Sequence, residues 1–176
     1  MNNITIYTDG ACSKNPGPGG YAFIILSHTE NVLLKLSGGG RHTTNNHMEL
    51  KAIVRALEHL DEPMERLNYR LPYDKSEMSV TIRSDSAYCV NAIKQGWIYV
   101  WNNNGWKTKE GHEVKNKELW QRLLELISQK HLKVTFEKVK GHSGDKYNEM
   151  VDKAAKNVIQ RLKEEELLFQ AKGGKK

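Results

Sequence analysis

The sequence predicts an α/β fold in which one sheet is covered by helices. Three strand-like segments come first, and later strand-like segments alternate with stretches that carry apolar residues at helical spacing. Two of the strand patterns are nearly identical, and both end in aspartate. With 176 residues, 38% of them hydrophobic and 27% charged, the chain has the size and composition of one globular domain with a substantial core.

The first half of the chain contains three predicted strands and one helix. The first strand covers residues 4–9, and a dense Gly/Pro turn signal follows it. Residues 21–27 and 32–36 have the pattern of a hairpin. We expect the glycines at 38–40 to interrupt or bulge the second strand of that hairpin. The helix predicted from about Thr44 has its apolar residues at helical spacing, namely Leu50, Ile53, Val54, Leu57 and Leu60.

The second half alternates strands and helices. A long irregular connection over residues 61–79 leads to a strand at 80–85 and a helix at 87–94, which Gly96 ends. A tryptophan-rich segment without an assigned element follows. The remaining predicted elements are a helix at 116–129, a strand at 133–139 and a long helix from about Asp145.

Asp9 and Asp85 close the two matching strands, whose shared pattern is an apolar residue, Thr, Ile, a variable residue, a hydroxyl residue and Asp. If these strands are parallel, adjacent and in register, the two carboxylates lie about 5 Å apart. Carboxylates that close repel unless a cation lies between them, and oxygen ligands favour Mg²⁺ or Mn²⁺ over zinc. The alternative interpretations are an Asp-Gly turn at Asp9 and a helix N-cap at Asp85. The pattern alone leaves the two interpretations evenly balanced.

Glu49 and Asp152 are the other acidic residues that could join such a cluster. Each lies in an early turn of a predicted helix, beside the apolar stripe. We expect Glu49 to point toward the sheet rather than to water. Its alternative role, a favourable acid near a helix N-terminus, is the more probable one when the residue is considered alone.

Charge, hydropathy and cysteine content limit the class of protein. The net charge of +6 and the pI near 9.2 permit a polyanionic partner without requiring one. We expect no membrane association, because no apolar run approaches the roughly 20 residues of a spanning helix, and no secretory signal is visible. Cys12 and Cys89 are too few and too far apart for a disulfide framework or a zinc site. They indicate reduced thiols in a cytoplasmic protein.

Eight short motifs occur in a fixed order, and together they are specific. They are TDGA at 8–11, NPGPGG at 15–20, TTNNHMEL at 43–50, SDS at 84–86, GWKT at 105–108, VKN at 114–116, LWQRL at 119–123 and VKGHSG at 139–144. The chain closely resembles the type 1 ribonucleases H of bacteria over residues 1–160. This resemblance implies the ribonuclease H fold, a five-stranded mixed sheet of three antiparallel and then two parallel strands, flanked by helices. We accordingly expect a catalytic domain at 1–165 and a loose basic tail at 166–176.

The resemblance also implies a chemistry. Asp9 would bridge two Mg²⁺ ions, for which Mn²⁺ could substitute, while Asp152 completes the water-activating metal site and Glu49 and Asp85 hold the other. The implied reaction is endonucleolytic hydrolysis of the RNA strand of an RNA–DNA hybrid, leaving 3′-hydroxyl and 5′-phosphate ends. His142 would be the family's histidine that assists proton transfer or product release, although a loop histidine without this motif is usually an ordinary surface residue.

The resemblance assigns two groups of residues to substrate binding. Those expected to contact the hybrid's backbone and minor-groove edges, besides any turn or capping role, are Asn15, Thr44, Asn45 and Asn46. Those that match the family's tryptophan-rich handle, where packing is the more expected role of the rings, are Trp97, Trp101, Trp106 and Lys107. The chain departs from its relatives with asparagines at 102–104 in place of basic residues and with Ala87 in place of an amide. We therefore expect weaker attraction to phosphate at the handle.

We expect a monomer that recognises hybrids by shape and 2′-hydroxyl groups, independently of sequence. Two other functions are compatible with the fold, namely an integrase or transposase-like nuclease core and a non-catalytic hybrid-binding module. The first usually has fewer carboxylates and no tryptophan-rich handle, and the second would tolerate the loss of a carboxylate. All four carboxylates are present here.

Overall fold

The structure, a computed structural model, describes residues 2–60, 78–129, 132–141 and 144–173. Most of the predicted connection at 61–79, and His142, lie outside the described residues. None of the described helices is long and apolar enough to cross a membrane. The strands are β1 (Asn2–Cys12), β2 (Gly17–Leu26), β3 (Val32–Thr43), β4 (Met78–Ser84) and β5 (Lys133–Lys138). The helices are α1 (Asn45–Glu58), α2 (Ala87–Lys94), α3 (Trp97–Asn103), α4 (Lys117–Gln129) and α5 (Lys146–Ala171).

The five strands form one mixed sheet in the order β3-β2-β1-β4-β5. β1 pairs antiparallel with β2, and β2 pairs antiparallel with β3. β1 pairs parallel with β4, and β4 pairs parallel with β5. This arrangement confirms the predicted fold, in which three antiparallel strands are followed by two parallel ones.

The register of β1 on β4 explains the shared sequence pattern of the two strands. Ile4 lies opposite Val80, and Thr8 lies opposite Ser84. Asp9 follows Thr8 within β1, and Asp85 directly follows Ser84, the last residue of β4. Both carboxylates therefore lie at the same edge of the sheet. The strands are parallel, adjacent and in register, as the paired-carboxylate hypothesis required.

Alternating side chains along each strand supply two cores, one on each face of the sheet. On one face, Ile4 and Ile6 join a large core that includes apolar residues of α1, α2 and α4. On the other face, Tyr7 joins a smaller core with Val151 and Ala155 of α5. The helix α5 therefore covers one face of the sheet, and the helices α1, α2 and α4 cover the opposite face.

The glycines at 38–40 do not interrupt β3, which continues to Thr43, so the predicted break is wrong. A register shift does lie directly after them, where Gly19 pairs with Gly40 and Gly17 with Thr43, and a second shift lies at Ile25/Leu26. Gly38 and Gly39 make room for packing. A Cβ at Gly39 would lie 2.6 Å from Cγ1 of Val158 in α5, and a Cβ at Gly38 would lie 2.7 Å from the Tyr21 hydroxyl.

Two boundaries differ from the sequence analysis. The tryptophan-rich segment forms the short helix α3, which follows Gly96 in a left-handed conformation with φ of 72°. The helix α5 extends to Ala171, so residues 166–171 are helical, whereas the division into a domain at 1–165 and a tail at 166–176 stays a prediction. The other predicted helices and strands agree with the structure to within a few residues.

Candidate active site

Three carboxylates converge at the edge of the sheet where β1 and β4 lie side by side. One oxygen from each of Asp9, Glu49 and Asp85 can be chosen so that all three lie within 4.8 Å of one another. Asp9 and Glu49 are only 6% and 5% exposed, whereas Asp85 is half-buried. The predicted convergence of these three residues is confirmed, because parallel pairing aligns the two aspartates and α1 brings in the glutamate.

Gly10 joins two of these carboxylates. Its backbone N–H donates to Asp9 Oδ1 at 2.9 Å and to Glu49 Oε2 at 3.1 Å. A Cβ at Gly10 would collide with the backbone of Met48 and Glu49. The Asp9-Gly10 pair is thus not a turn, since it lies within β1, and the glycine is required because α1 crosses the strand at this point.

Burial and mutual repulsion change the proton affinity of the cluster. Burial, together with the nearby charges of Asp85 and Asp152, raises the pKa of Asp9 to about 7. Burial likewise raises the pKa of Glu49 to about 9, with contributions from Asp9 and Asp85. Both groups therefore hold protons that a carboxylate in water releases near pH 4.

These residues fit a divalent metal ion of the hard type. Every ligand atom in the cluster is a carboxylate oxygen, which Mg²⁺ and Mn²⁺ prefer. The same repulsion that raises the pKa of Asp9 and Glu49 would be relieved by a cation among them. The chemistry of the donor set, together with the burial of two of its members, is what a metal site of this kind needs.

Asp152 lies beside the cluster without belonging to the three convergent carboxylates. Its charge is close enough to raise the pKa of Asp9, yet its oxygens bind Lys156 on the next turn of α5, at 2.7 and 2.8 Å. The structure therefore brings Asp152 near Asp9 but pairs it with an ammonium group.

The neighbours of Asp85 rule out its alternative role as a helix cap. The N-cap of α2 is Ser86, whose hydroxyl accepts from the Cys89 N–H at 3.3 Å. The segment after β5 packs against the aspartate, because a Cβ at Gly141 would lie 2.8 Å from Asp85 Oδ2. The backbone N–H of Val139 donates to the Ser84 carbonyl at 3.0 Å and fixes this approach.

The residues predicted to bind the hybrid near α1 also have structural roles. Asn15 Oδ1 accepts from the Asn45 N–H at 2.8 Å, and Thr44 is the N-cap of α1, accepting from the His47 N–H at 3.3 Å. Thr44 and Asn46 are exposed. These residues have structural contacts of their own, and their exposure leaves them accessible to a substrate. Their contact with the hybrid stays a prediction.

The three tryptophans of the handle differ in exposure, since Trp106 is buried, Trp101 is half-buried and Trp97 is exposed. Trp106 is 5% exposed and Trp97 is 39% exposed, and Trp101 packs between the rings of Trp97 and Trp120, at centroid distances of 6.2 and 5.8 Å. Lys107 is exposed, and its N–H donates to the side chain of Asn104. Packing therefore accounts for Trp106 and Trp101, while Trp97 and Lys107 face solvent.

Two polar groups near the site were missed by the sequence analysis. One links the N-terminal ends of α1 and α4, where Asn116 joins His47 Nδ1 at 3.0 Å and the Tyr88 hydroxyl at 3.3 Å. The other contains Tyr7 and Arg83. Their position two residues before Asp9 and Asp85, on the same strand faces, was the signal that could have identified them.

Comparisons with known proteins agree with this geometry. The family model described as RNase H matches residues 1–160. A ribonuclease H of Caldicellulosiruptor saccharolyticus is 48% identical over 93% of this chain and 100% of its own length, and one of Acetivibrio thermocellus is 45% identical over 92% and 97%. The crystal structure of LC11-RNase H1 in complex with an RNA/DNA hybrid is 25% identical, covers 90% of this chain and 98% of its own, and has a TM-score of 0.67. The RNase H domain of a Mycobacterium tuberculosis protein, at 19% identity and a TM-score of 0.66, shares the fold over 94% of this chain and 99% of its own.

Proposed function

Because the chain belongs to the ribonuclease H family, we propose that it is the endonuclease that hydrolyses the RNA strand of RNA–DNA hybrids and leaves 3′-hydroxyl and 5′-phosphate ends. The single observation that carries this proposal is the convergence of Asp9, Glu49 and Asp85 within 4.8 Å at the sheet edge. The hybrid bound by LC11-RNase H1, whose fold this chain shares over most of its length, supports the substrate class.

The family and the acidic cluster indicate that the enzyme uses a divalent metal, and we propose two Mg²⁺ ions with Mn²⁺ as a substitute. Asp9, Glu49, Asp85 and Asp152 would hold them. When bound, such a pair lowers the pKa of a bound water and stabilises the leaving oxygen of a phosphodiester. The chain's own contribution is to hold the carboxylates in place, through the Gly10 N–H on Asp9 and Glu49 and the close approach of Gly141 to Asp85.

The proposed assignment gives Asp152 two partners. Its oxygens contact the Lys156 ammonium at 2.7 and 2.8 Å, and each oxygen keeps a lone pair with which it could also bind a metal ion. His142 completes the proposed set as the group that assists proton transfer or product release.

Binding of the hybrid is proposed to use both exposed surfaces next to the site. Near α1 these are Asn15, Thr44, Asn45 and Asn46. On the handle they are Trp97, Trp101, Trp106 and Lys107, of which Trp97 and Lys107 are the accessible ones. Recognition by shape and 2′-hydroxyl groups needs no base-specific contact. We further propose a monomer in the cytoplasm, supported by two cysteines that are thiols rather than a disulfide.

One gel experiment tests the function. End-labelled RNA–DNA hybrid, double-stranded RNA and double-stranded DNA are incubated with the protein, with Mg²⁺ or with a chelator, and with the Asp9→Asn variant as control. We expect cleavage of the RNA strand of the hybrid alone, dependent on Mg²⁺ and absent in the variant. Cleavage of double-stranded DNA would favour the integrase-like alternative, and binding of the hybrid without cleavage would favour the binding module.

A further inference from the structure

A row of polar side chains crosses the sheet directly below the carboxylates. Tyr7, Arg83 and Glu137 are neighbours on β1, β4 and β5, because Tyr7 lies opposite Arg83 and Arg83 lies opposite Glu137. Residues two apart on a strand point to the same face. The row therefore lies one residue pair beneath Asp9 and Asp85, on the face that α5 covers.

The members of this row hold one another. Arg83 Nε donates to Glu137 Oε2 at 2.9 Å, and Arg83 Nη1 donates to the Tyr7 hydroxyl at 2.8 Å. Tyr7 is only 3% exposed. The Tyr7 hydroxyl accepts this bond from the guanidinium, so its own hydrogen is free to be donated to a second partner.

The second partner is Asp145, the residue that caps the N-terminus of α5. The Tyr7 hydroxyl donates to Asp145 Oδ2 at 3.1 Å. Asp145 is the N-cap of α5, and its other oxygen, Oδ1, accepts from the N–H groups of Tyr147 and Asn148 at 3.1 and 3.2 Å. Both oxygens of this one carboxylate are thus used, one for the helix and one for the sheet.

Asp152 depends on α5 for its place in the site. It lies seven residues after Asp145, about two helical turns along the axis. Among the described residues its carboxylate bonds to Lys156 of the same helix and to no group of the sheet. The distance between Asp152 and Asp9 is therefore set by how α5 sits on the sheet. Among the described residues, the Tyr7–Asp145 bond is the polar contact that ties the near end of the helix to β1, the strand that carries Asp9.

We propose that Tyr7 and Arg83 are positioning residues of the active site, which set the distance between Asp152 and the three-carboxylate cluster through Asp145. This inference rests on the proposed metal-dependent function of the same site. It assigns a role to two residues whose described hydrogen bonds go to none of the four proposed metal ligands. Loss of the Tyr7 hydroxyl removes both of its bonds and leaves Asp145 with only its capping contacts.

The test compares two phenol-to-phenyl changes next to the same helix. Tyr7→Phe removes the bond to Asp145. Tyr147→Phe, the matched control, removes a hydroxyl on the first turn of α5 that donates to the Glu30 carbonyl at 3.1 Å. For Tyr7→Phe we expect the Mg²⁺ concentration that gives half-maximal cleavage to rise by up to about tenfold, the lower end of the range for direct partners of metal ligands, because Tyr7 acts one contact further away. The KM for hybrid should be unchanged, and Tyr147→Phe should behave as the wild type.

A second readout does not depend on cleavage. Bound Mn²⁺ broadens the NMR signals of nearby backbone amides, so the amides of Gly10 and Asp152 report the distances from the metal to the cluster and to α5. In Tyr7→Phe we expect broadening to weaken at Asp152 and to persist at Gly10. A purely structural role would lower the melting temperature of the variant and leave this ratio and the Mg²⁺ dependence as in the wild type, which would overturn the inference.

A double-mutant cycle supplies the last control. Asp145→Ser keeps a good N-cap but removes the oxygen that Tyr7 contacts, and we expect the same rise in Mg²⁺ requirement. Combining it with Tyr7→Phe should add nothing further if both act through one contact, whereas fully additive effects would overturn the proposal. Absence of any broadening at Gly10 in the wild type would instead contradict the proposed metal-dependent function, so the two failures are distinguishable.

Discussion

Replacing Asp9 by Asn is expected to abolish cleavage and, without metal, to stabilise the protein by an amount that grows with pH. Asp9 is 6% exposed and lies close to the charges of Asp85 and Asp152. Asn keeps a carbonyl oxygen that can accept from the Gly10 N–H, as Asp9 Oδ1 does at 2.9 Å. The substitution therefore removes a buried negative charge while it preserves the local hydrogen bond.

The size of the effect follows from the pKa of Asp9, which rises from an ordinary value of 3.8 to about 7. Between these values the folded protein binds a proton that the unfolded chain does not, so the free energy of unfolding of the wild type falls as pH increases. The full loss is about 4 kcal/mol, at about 1.4 kcal/mol per pH unit. The Asn side chain does not ionise, so the free energy of unfolding of Asp9→Asn does not fall in this way. It should match the wild type near pH 4 and exceed it by up to about 4 kcal/mol above pH 7.

Thermal unfolding in the presence of a chelator, at pH values from 4 to 9, measures this difference. For a chain of this length, 1 kcal/mol corresponds to roughly 2–4 °C in melting temperature, so a gain near 10 °C is expected at high pH. Saturating Mg²⁺ should narrow the gap, because only the wild type gains the stabilisation by bound metal. The control is Asp152→Asn, which removes one of the charges that raise the pKa of Asp9 but also loses its ion pair with Lys156, so its gain should be much smaller than that of Asp9→Asn. A difference between Asp9→Asn and the wild type that stays constant across the pH range would refute the reasoning.

Three further changes probe other parts of the molecule. Gly141→Ala places a Cβ 2.8 Å from Asp85 Oδ2, so we expect activity to fall about tenfold or more with unchanged melting temperature, while the control Gly40→Ala, which has ordinary contacts, should keep full activity. Replacing Asn102, Asn103 and Asn104 by Lys should steepen the salt dependence of hybrid affinity, measured in a cleavage-inactive background. If the slopes with and without the triple change are identical, this surface does not contact the hybrid. His142→Ala should lower kcat with little change in KM, and a changed KM alone would make it a binding residue.

The carboxylate cluster could be predicted from sequence because it depends on regular structure. Strand periodicity and parallel pairing are local rules, and the shared pattern that ends in Asp9 and Asp85 contains both. The direction of the Glu49 side chain followed from the helical spacing of α1, whereas its place in the cluster followed from the resemblance to the ribonuclease H family. The position of Asp152 could be predicted as well, and so could its bond to Lys156, because acidic and basic side chains four residues apart on a helix are neighbours.

The errors in the sequence analysis have one physical origin, which is packing between segments far apart in the chain. The glycines at 38–40 have the composition of a strand break, yet they permit contact with Val158, which is more than a hundred residues away. The segment that contains Trp97 and Trp101 could not be assigned an element from its sequence, and it forms the helix α3, where Ile98 is fully buried in the core. Local propensity is overridden wherever such a contact exists.

The two parts of the site are held by different kinds of contact, and this difference has consequences for mutation. Asp9, Glu49 and Asp85 are fixed by backbone approaches at Gly10 and Gly141, which leave no room for a larger residue. Asp152 is fixed by side chains alone, through Lys156 and through the seating of α5. Changes at the glycines should therefore disturb the cluster itself, whereas changes along α5 should alter metal requirement before they alter stability. A site built in this way can vary its affinity for metal through α5 while the sheet edge that holds the remaining carboxylates stays the same.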